Sequence, residues 1–522
     1  MLGNYKKYLT SSNILLVTLL LIMFFLLRWN TFSTPFERDE GEYAYSAWIL
    51  RQGIMPYENS FMQKPPMIIY TYAVGQIFDQ QGIVSPRILA SLFVLSATVL
   101  LGLIAKKSFG KNAGWIVMFL VTPMLTLPLN APFAANTENF MLLPLMALLA
   151  IYIYKRTNVT YLHLFLSGIF ASIALLYKPV GLPVVVFIYG VWIFELYKQK
   201  KDVKSVLFDI SAIIIGGILA MLIVFSPFII TKTIRPLIES AFLYNLSYTG
   251  FEGFGISNIF NYIGGRYIKF YWPLYILVVY YLIKRPKRWW YFIGLFLSAL
   301  LAVYSSPMGH YYILIMPFWA IICGHSVILL SKEKKVKEVL GKSAQAIITI
   351  LVLVIIIFPF RTQFALTPHQ LSVWMYGTVN PFVDAHVVAG EVEKITTEDD
   401  YIFVAGSEPQ IYFYTKRLAP TKYVITYPLN ITSNYQEKYQ KEIVDDLTNN
   451  QPEVIVVSNL QHSGLWNEGS PTIFIGYLTE LIEKEYKVHG AYVSGVKKDY
   501  WLEDLEEQDM ENARMVVYKR VD

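Results

Sequence analysis

In the stretch FERDEGEYAY, residues 36–45, the charged side chains Glu37, Arg38, Asp39, Glu40 and Glu42 crowd together soon after the apolar run NILLVTLLLIMFFLLRW. A carboxylate placed there can begin to take the proton of a hydroxyl group and so turn it into a nucleophile. Further along the same segment, MPYENSFMQKPPMIIY brings Lys64 to the membrane face, just before two prolines that forbid an earlier helix start. A cation held there can meet an anionic head group. Each feature alone also has a plain structural account: Asp39 and Glu40 complement the dipole at the start of a helix, and lone interfacial lysines snorkel. Glu138 in the turn NAPFAANTEN, Lys178 in LLYKPVG, Arg266, and His310 with Tyr311 add polar or ionisable groups at span ends. Charge close to membrane depth is costly enough to suggest use, although a tyrosine at a span end also suits an aromatic belt.

The elements that must position these residues are membrane helices. The chain has 522 residues, 55% hydrophobic and 16% charged, and a mean hydropathy of +0.43, outside the balance of a soluble domain. Apolar runs long enough to cross a hydrocarbon core of about 30 Å recur up to residue 360 or so. They fall near 13–29, 86–106, 113–129, 138–154, 161–177, 180–197, 206–231, 267–284, 289–305, 310–330 and 343–360. The reading is a polytopic, all-α membrane bundle of about eleven spans. The first run is a retained helix rather than a signal peptide, being too long and lacking a small-residue cleavage site.

Lys106, Lys107 and Lys111, then Lys155 and Arg156, YKQKKDVK, KRPKR and SKEKKVKEVLGK mark one set of loops as cytoplasmic, together with the N-terminus. The opposite set, including residues 30–85 and the long loop 232–266, then faces outward, and an odd number of spans puts the C-terminal part on that side too. Within the first loop, DEGEYAYSAWILRQG places Tyr43, Ala47 and Leu50 on one face, with Gly53 as its stop. This predicts an amphipathic helix lying at the membrane surface. PMIIYTYAVGQIFD, 66–79, is apolar but too short to cross, as in an interfacial or re-entrant helix.

Residues 1–361 thus form a transmembrane domain and 362–522 a soluble extracytoplasmic α/β domain, in which DYIFVAG, EVIVVSN and ARMVVYKR alternate with helix-like segments. No glycine-rich nucleotide motif follows these strands. The single Cys323 sits in an apolar run, which excludes a disulfide within the chain and suits packing. The net charge of +6 reflects loop charges that set topology, with no nucleic-acid partner implied. Gly216 and Gly217 suit close helix packing, and the prolines at 123, 144, 227 and 317 read as tolerated kinks.

The order "DE, short helix, PY, KPP" directly after the first span resembles the first outward loop of the GT-C glycosyltransferases of the protein O-mannosyltransferase and aminoarabinose transferase type. The TEN turn, 137–139, is similar to that family's second outward acidic position, and GHYYILIMPFWAI, 309–321, to its late "HYxxxxxP" span. The resemblance covers about the first 330 residues. It implies a GT-C bundle, multi-pass in the cell membrane. The implied activity is inverting transfer of a monosaccharide from a polyprenyl-phosphate carrier to a hydroxyl on a protein, lipid or glycan at the outer face. By the same resemblance Asp39, with Glu40 beside it, acts at the acceptor hydroxyl and Lys64 contacts the carrier phosphate. Glu138 stands at the second acidic position, where the family often has Asp.

Chemistry suits this set independently. Phosphate leaves as a stable anion and needs positive charge rather than a proton, so Lys64, Lys178 and Arg266 are candidate phosphate contacts. His310 and Tyr311 are candidate donor contacts. Asp39, Glu40 and Glu138 could offer oxygen ligands to a divalent cation, but no metal and no other cofactor is assigned. The competing reading, a secondary transporter or lipid flippase, calls for ionisable residues in mid-span, whereas the strong charges here gather in loops at one face. A third, a membrane-anchored ligand sensor, needs fewer spans than these.

Overall fold

The computed structural model describes residues 11–79, 82–130, 133–200, 202–247, 255–495 and 499–521. Lys6 and Lys7 before the first apolar run, Ala131 and Pro132 of the NAPFAANTEN turn, Lys201 and residues 248–254 of the long loop lie outside them. Among the described residues nine α-helices come first: α1 (Ser11–Leu26), α2 (Arg38–Arg51), α3 (Met67–Phe78), α4 (Val84–Phe109), α5 (Lys111–Thr126), α6 (Thr137–Lys155), α7 (Tyr161–Tyr177), α8 (Leu182–Lys200) and α9 (Val203–Ile230). The chain gathers into two compact units, one of residues 1–32, 87–224 and 253–366, the other of 33–86, 225–252 and 367–522. The sequence reading divides the chain once, after residue 361. In the structure the first loop and residues 225–252 cluster with the C-terminal residues.

The first unit is helical. Among the described residues six helices are long and apolar enough to cross a membrane: Val84–Phe109, Thr137–Lys155, Pro179–Gln199, Val203–Ile230, Gly309–Leu330 and Lys334–Phe360. The other expected spans form α1, α5 and α7 with Ile268–Lys284 and Trp289–Val303, helices of 15 to 17 residues. The segment Met316–Leu330 is buried along nearly its whole length, which suits a helix apolar on every side. There Cys323 packs against the Leu274 carbonyl, and Pro317 sits in the first turn rather than at a mid-span kink. Between α7 and α9 a methyl group at Gly216 would overlap the Phe165 carbonyl oxygen, and one at Gly168 the Ile213 oxygen. Only glycine lets the two backbones meet so closely.

The second unit carries a five-stranded sheet of order β1-β2-β5-β3-β4, with β1 (Ile402–Ala405), β2 (Val454–Ser458), β3 (Tyr486–Val493), β4 (Tyr500–Leu502) and β5 (Ala513–Arg520). Only β1 and β2 run parallel. Their runs IFVA and VIVVS are almost wholly buried, as strands covered on both faces must be. The core on the face that packs helices Gln436–Asn449 and Ile473–Glu485 also takes in Phe61 from the first loop and Tyr244. The Phe61 ring lies 5.2 Å from Tyr244, 5.4 Å from Tyr439 and 5.9 Å from Tyr423, and its amide donates to the Lys422 carbonyl at 2.6 Å.

Helix α2 differs from expectation. In place of an amphipathic surface helix, residues 40–47 and Ile49 are all buried. The cause is a partner far away in sequence: the Phe36 amide donates to the Tyr414 hydroxyl at 2.8 Å, and the Tyr45 hydroxyl accepts from the Ala419 amide at 3.0 Å. A Cβ on Gly41 would sit 2.5 Å from the Gln410 backbone nitrogen, so this glycine sets how closely α2 approaches the helix Gln410–Thr415. The expected stop holds, since Gly53 takes a left-handed φ of 84° that glycine adopts without strain. Gly41→Ala should therefore destabilise the protein by about 1–3 kcal/mol despite the better helix propensity of alanine. Thermal unfolding of the purified variant checks this, and an unchanged or raised melting temperature would contradict the packing account.

Candidate functional site

Lys64 stands between two carboxylates. Its Nζ donates to Asp39 Oδ1 at 3.0 Å and to Glu42 Oε2 at 3.2 Å, and it lies 5.4 Å from the centre of the Tyr43 ring. Asp39 and Glu42 are three residues apart on α2 and so share one face of the helix. They differ in access: the Asp39 side chain keeps 23% exposure and that of Glu42 only 2%. Asp39 is thus the more accessible of the two carboxylates. Burial pushes the Glu42 carboxyl up to about 7; the Lys64 charge opposes the rise and the Asp39 charge adds to it.

Both partners are fixed by the unit around them. Pro65 and Pro66 restrict the backbone before α3, and the Lys64 carbonyl accepts from the Tyr57 hydroxyl at 2.7 Å. Asn245 donates to the preceding Gln63 carbonyl at 2.7 Å, and the Phe61 anchor lies a few residues back. On the other side Arg38, directly before Asp39, donates to the Ser407 carbonyl at 2.5 Å, to the His462 carbonyl at 2.6 Å and to Glu408 Oε1 at 3.3 Å. The guanidinium also lies 5.0 Å from the centre of the Tyr427 ring. Glu408 is fully buried and accepts from the Ser463 hydroxyl at 2.7 Å. The C-terminal residues thus clamp the helix start that presents Asp39.

The other unit holds a second acid–lysine pair. Glu138, in the first turn of α6, takes the Lys178 ammonium on Oε1 at 2.5 Å and the Thr137 hydroxyl on Oε2 at 3.0 Å. His310 Nε2 stands 3.9 Å from Oε1, and Lys178 Nζ lies 3.4 Å from the Tyr311 ring centre. Lys178 leaves α7 where the following proline ends the helix, and His310 and Tyr311 belong to the 3-10 turn Gly309–Ile315. Four of the residues singled out from sequence therefore meet at one point.

Two others are used differently. Glu40 is wholly buried and its Oε2 accepts from the Glu37 amide at 3.4 Å, a helix-capping contact. Arg266 is exposed and lies against Tyr262, whose ring stacks 4.3 Å from Tyr312. Among the described residues no group of three or more His, Cys, Asp or Glu side chains has the arrangement to hold a metal ion. Sequence reasoning noted Glu42 and Arg38 among the crowded charges without giving either a role, and missed Glu408. The spacing of Asp39 and Glu42 was a readable signal for the first, whereas the Arg38–Glu408 contact, 370 residues apart in the chain, left none.

Because Glu42 holds its proton more tightly folded, at about 7, than at the ordinary 4.5, its contribution to stability is present at low pH and is lost as pH rises from 4.5 through about 7. Glu42→Gln should flatten that part of the melting-temperature profile and leave the acid end unchanged. Superimposable profiles for the two proteins would refute a buried, proton-holding Glu42.

Neither a protein-family model nor a curated protein sequence matches the chain. In fold it is similar to ArnT from Cupriavidus metallidurans bound to undecaprenyl phosphate, with a TM-score of 0.62 and 13% identity over 98% of this chain and 98% of that one. It is similar as well to the Archaeoglobus fulgidus oligosaccharyltransferase tethered with an acceptor peptide, with a TM-score of 0.54 and 10% identity over 95% of this chain and 74% of the other. The archaeal oligosaccharyltransferase AglB from the same organism, in complex with an inhibitory peptide and a dolichol-phosphate, gives 0.51 and 11% over 96% and 75%. Identities this low speak to the fold alone, and a likeness in fold to proteins of this kind is what the first-loop motif led us to expect.

Proposed function

We propose that the protein is an inverting glycosyltransferase that moves a monosaccharide from a polyprenyl-phosphate carrier to a hydroxyl acceptor at the outer face of the membrane. The observation that carries this reading is the direct contact of Lys64 with the accessible carboxylate of Asp39. The fold likeness to proteins whose structures hold undecaprenyl phosphate or a dolichol-phosphate supports it.

In the step proposed, the acceptor oxygen attacks the anomeric carbon as its proton passes to Asp39. The bond from that carbon to the phosphate oxygen breaks, and its electron pair leaves on the polyprenyl phosphate. Lys64, Lys178 and Arg266 are assigned to the donor phosphate, where cations stabilise the departing anion. Glu138 is assigned to the second acidic position, and His310 and Tyr311 to the donor.

The reading includes about eleven membrane crossings, a cytoplasmic N-terminus and an extracytoplasmic C-terminal part. The transmembrane portion, 1–361, carries the first loop 30–85 on the same side as 362–522. Purified protein given a labelled polyprenyl-phosphate sugar should release polyprenyl phosphate. Asp39→Asn should slow transfer by about 10²–10⁴-fold with lipid binding intact, and Lys64→Ala should weaken donor binding. Normal turnover by the Asn variant would remove Asp39 as the base.

A further inference from the structure

Away from Asp39, at the other end of α2, a cavity of about 520 Å³ is lined by Trp48, Arg51, Lys416, Glu398 and Asp399 among others. Twelve positions along a helix place it about 18 Å from Asp39. Lys416 is doubly out of place there. It ends the helix Gln410–Thr415 with a left-handed φ of 54°, a turn that favours glycine or asparagine. Its ammonium is also buried with no hydrogen-bond partner among the described residues, resting 3.1 Å from the centre of the Phe413 ring. A ring face holds a cation but offers no acceptor for its protons. Burial pulls this amine down to about 7, the nearby Arg51 charge adds to the fall, and Asp79 opposes it.

Two basic side chains lining one cavity, one of them lacking an acceptor, fit an anionic group. The half-buried Trp48 ring in the same lining offers a flat apolar face, and the exposed carboxylates of Glu398 and Asp399 can accept hydrogen bonds from hydroxyl groups. We propose that this cavity binds a saccharide bearing a phosphate or carboxylate group. Its chemistry stands alone; its use, as a subsite for a remote part of the acceptor, rests on the transfer reading above.

Titration calorimetry of the purified full chain tests the site with glucose 6-phosphate and glucuronate, against glucose and inorganic phosphate. The charged sugars should bind at least about ten-fold more tightly than either comparator, a difference of about 1.4 kcal/mol. Lys416→Gly, which suits the left-handed turn and should melt no lower than the parent, should lose that advantage, while Lys416→Arg should keep it. Should the glycine variant fail to fold, Arg51→Met gives the same reading. Equal binding of glucose or of inorganic phosphate, or full binding by a folded Lys416→Gly protein, would overturn the proposal. Release of polyprenyl phosphate, assayed on the same preparation, reports the transfer reading separately, since either result can fail while the other stands.

Discussion

The placement of the Lys64 ammonium between Asp39 and Glu42 is the constraint on which the rest of the first-loop architecture depends. Three charges in so small a space hold one geometry only if each is supported from behind. Phe61 buries its ring in the C-terminal core, the prolines stiffen the approach to α3, and Gly41 lets α2 lie against Gln410. Arg38 ties the start of the same helix to buried Glu408. The C-terminal α/β residues are therefore structural support for the Asp39 helix rather than a detached accessory.

The helical unit repeats the device with other residues. Lys178 is held by a buried carboxylate and set against an aromatic ring, as Lys64 is. A lysine kept this way loses little freedom when an anion arrives, because its position is already set, and a preorganised cation stabilises developing negative charge without reorganising. The pairing also prevents an uncompensated charge in a poorly solvated place, which would be costly in the resting protein.

The sequence made the residue types and the ends of elements legible, since apolar runs and prolines act locally. The runs near 86–106, 138–154, 206–231 and 310–330 lie within long helices of the structure, and three of the expected strand segments are β1, β2 and β5. Strands β3 and β4, whose sequences mix polar and aromatic residues, were missed. The surroundings of α2 were hidden for a different reason. Periodicity reports one apolar face, but burial of its other sides comes from residues beyond position 400, such as Tyr414 and Ala419. The same non-locality hid the partners of Arg38.

The account's central claim is that Asp39 and Lys64 act as one unit, and a double-mutant cycle on the transfer rate tests it most directly. If the ion pair works as a whole, Asp39→Asn combined with Lys64→Met should be no slower than the worse single variant, within a few-fold, because the second change removes what the first has already disabled. Losses that multiply across the two substitutions would show independent roles and would contradict the account.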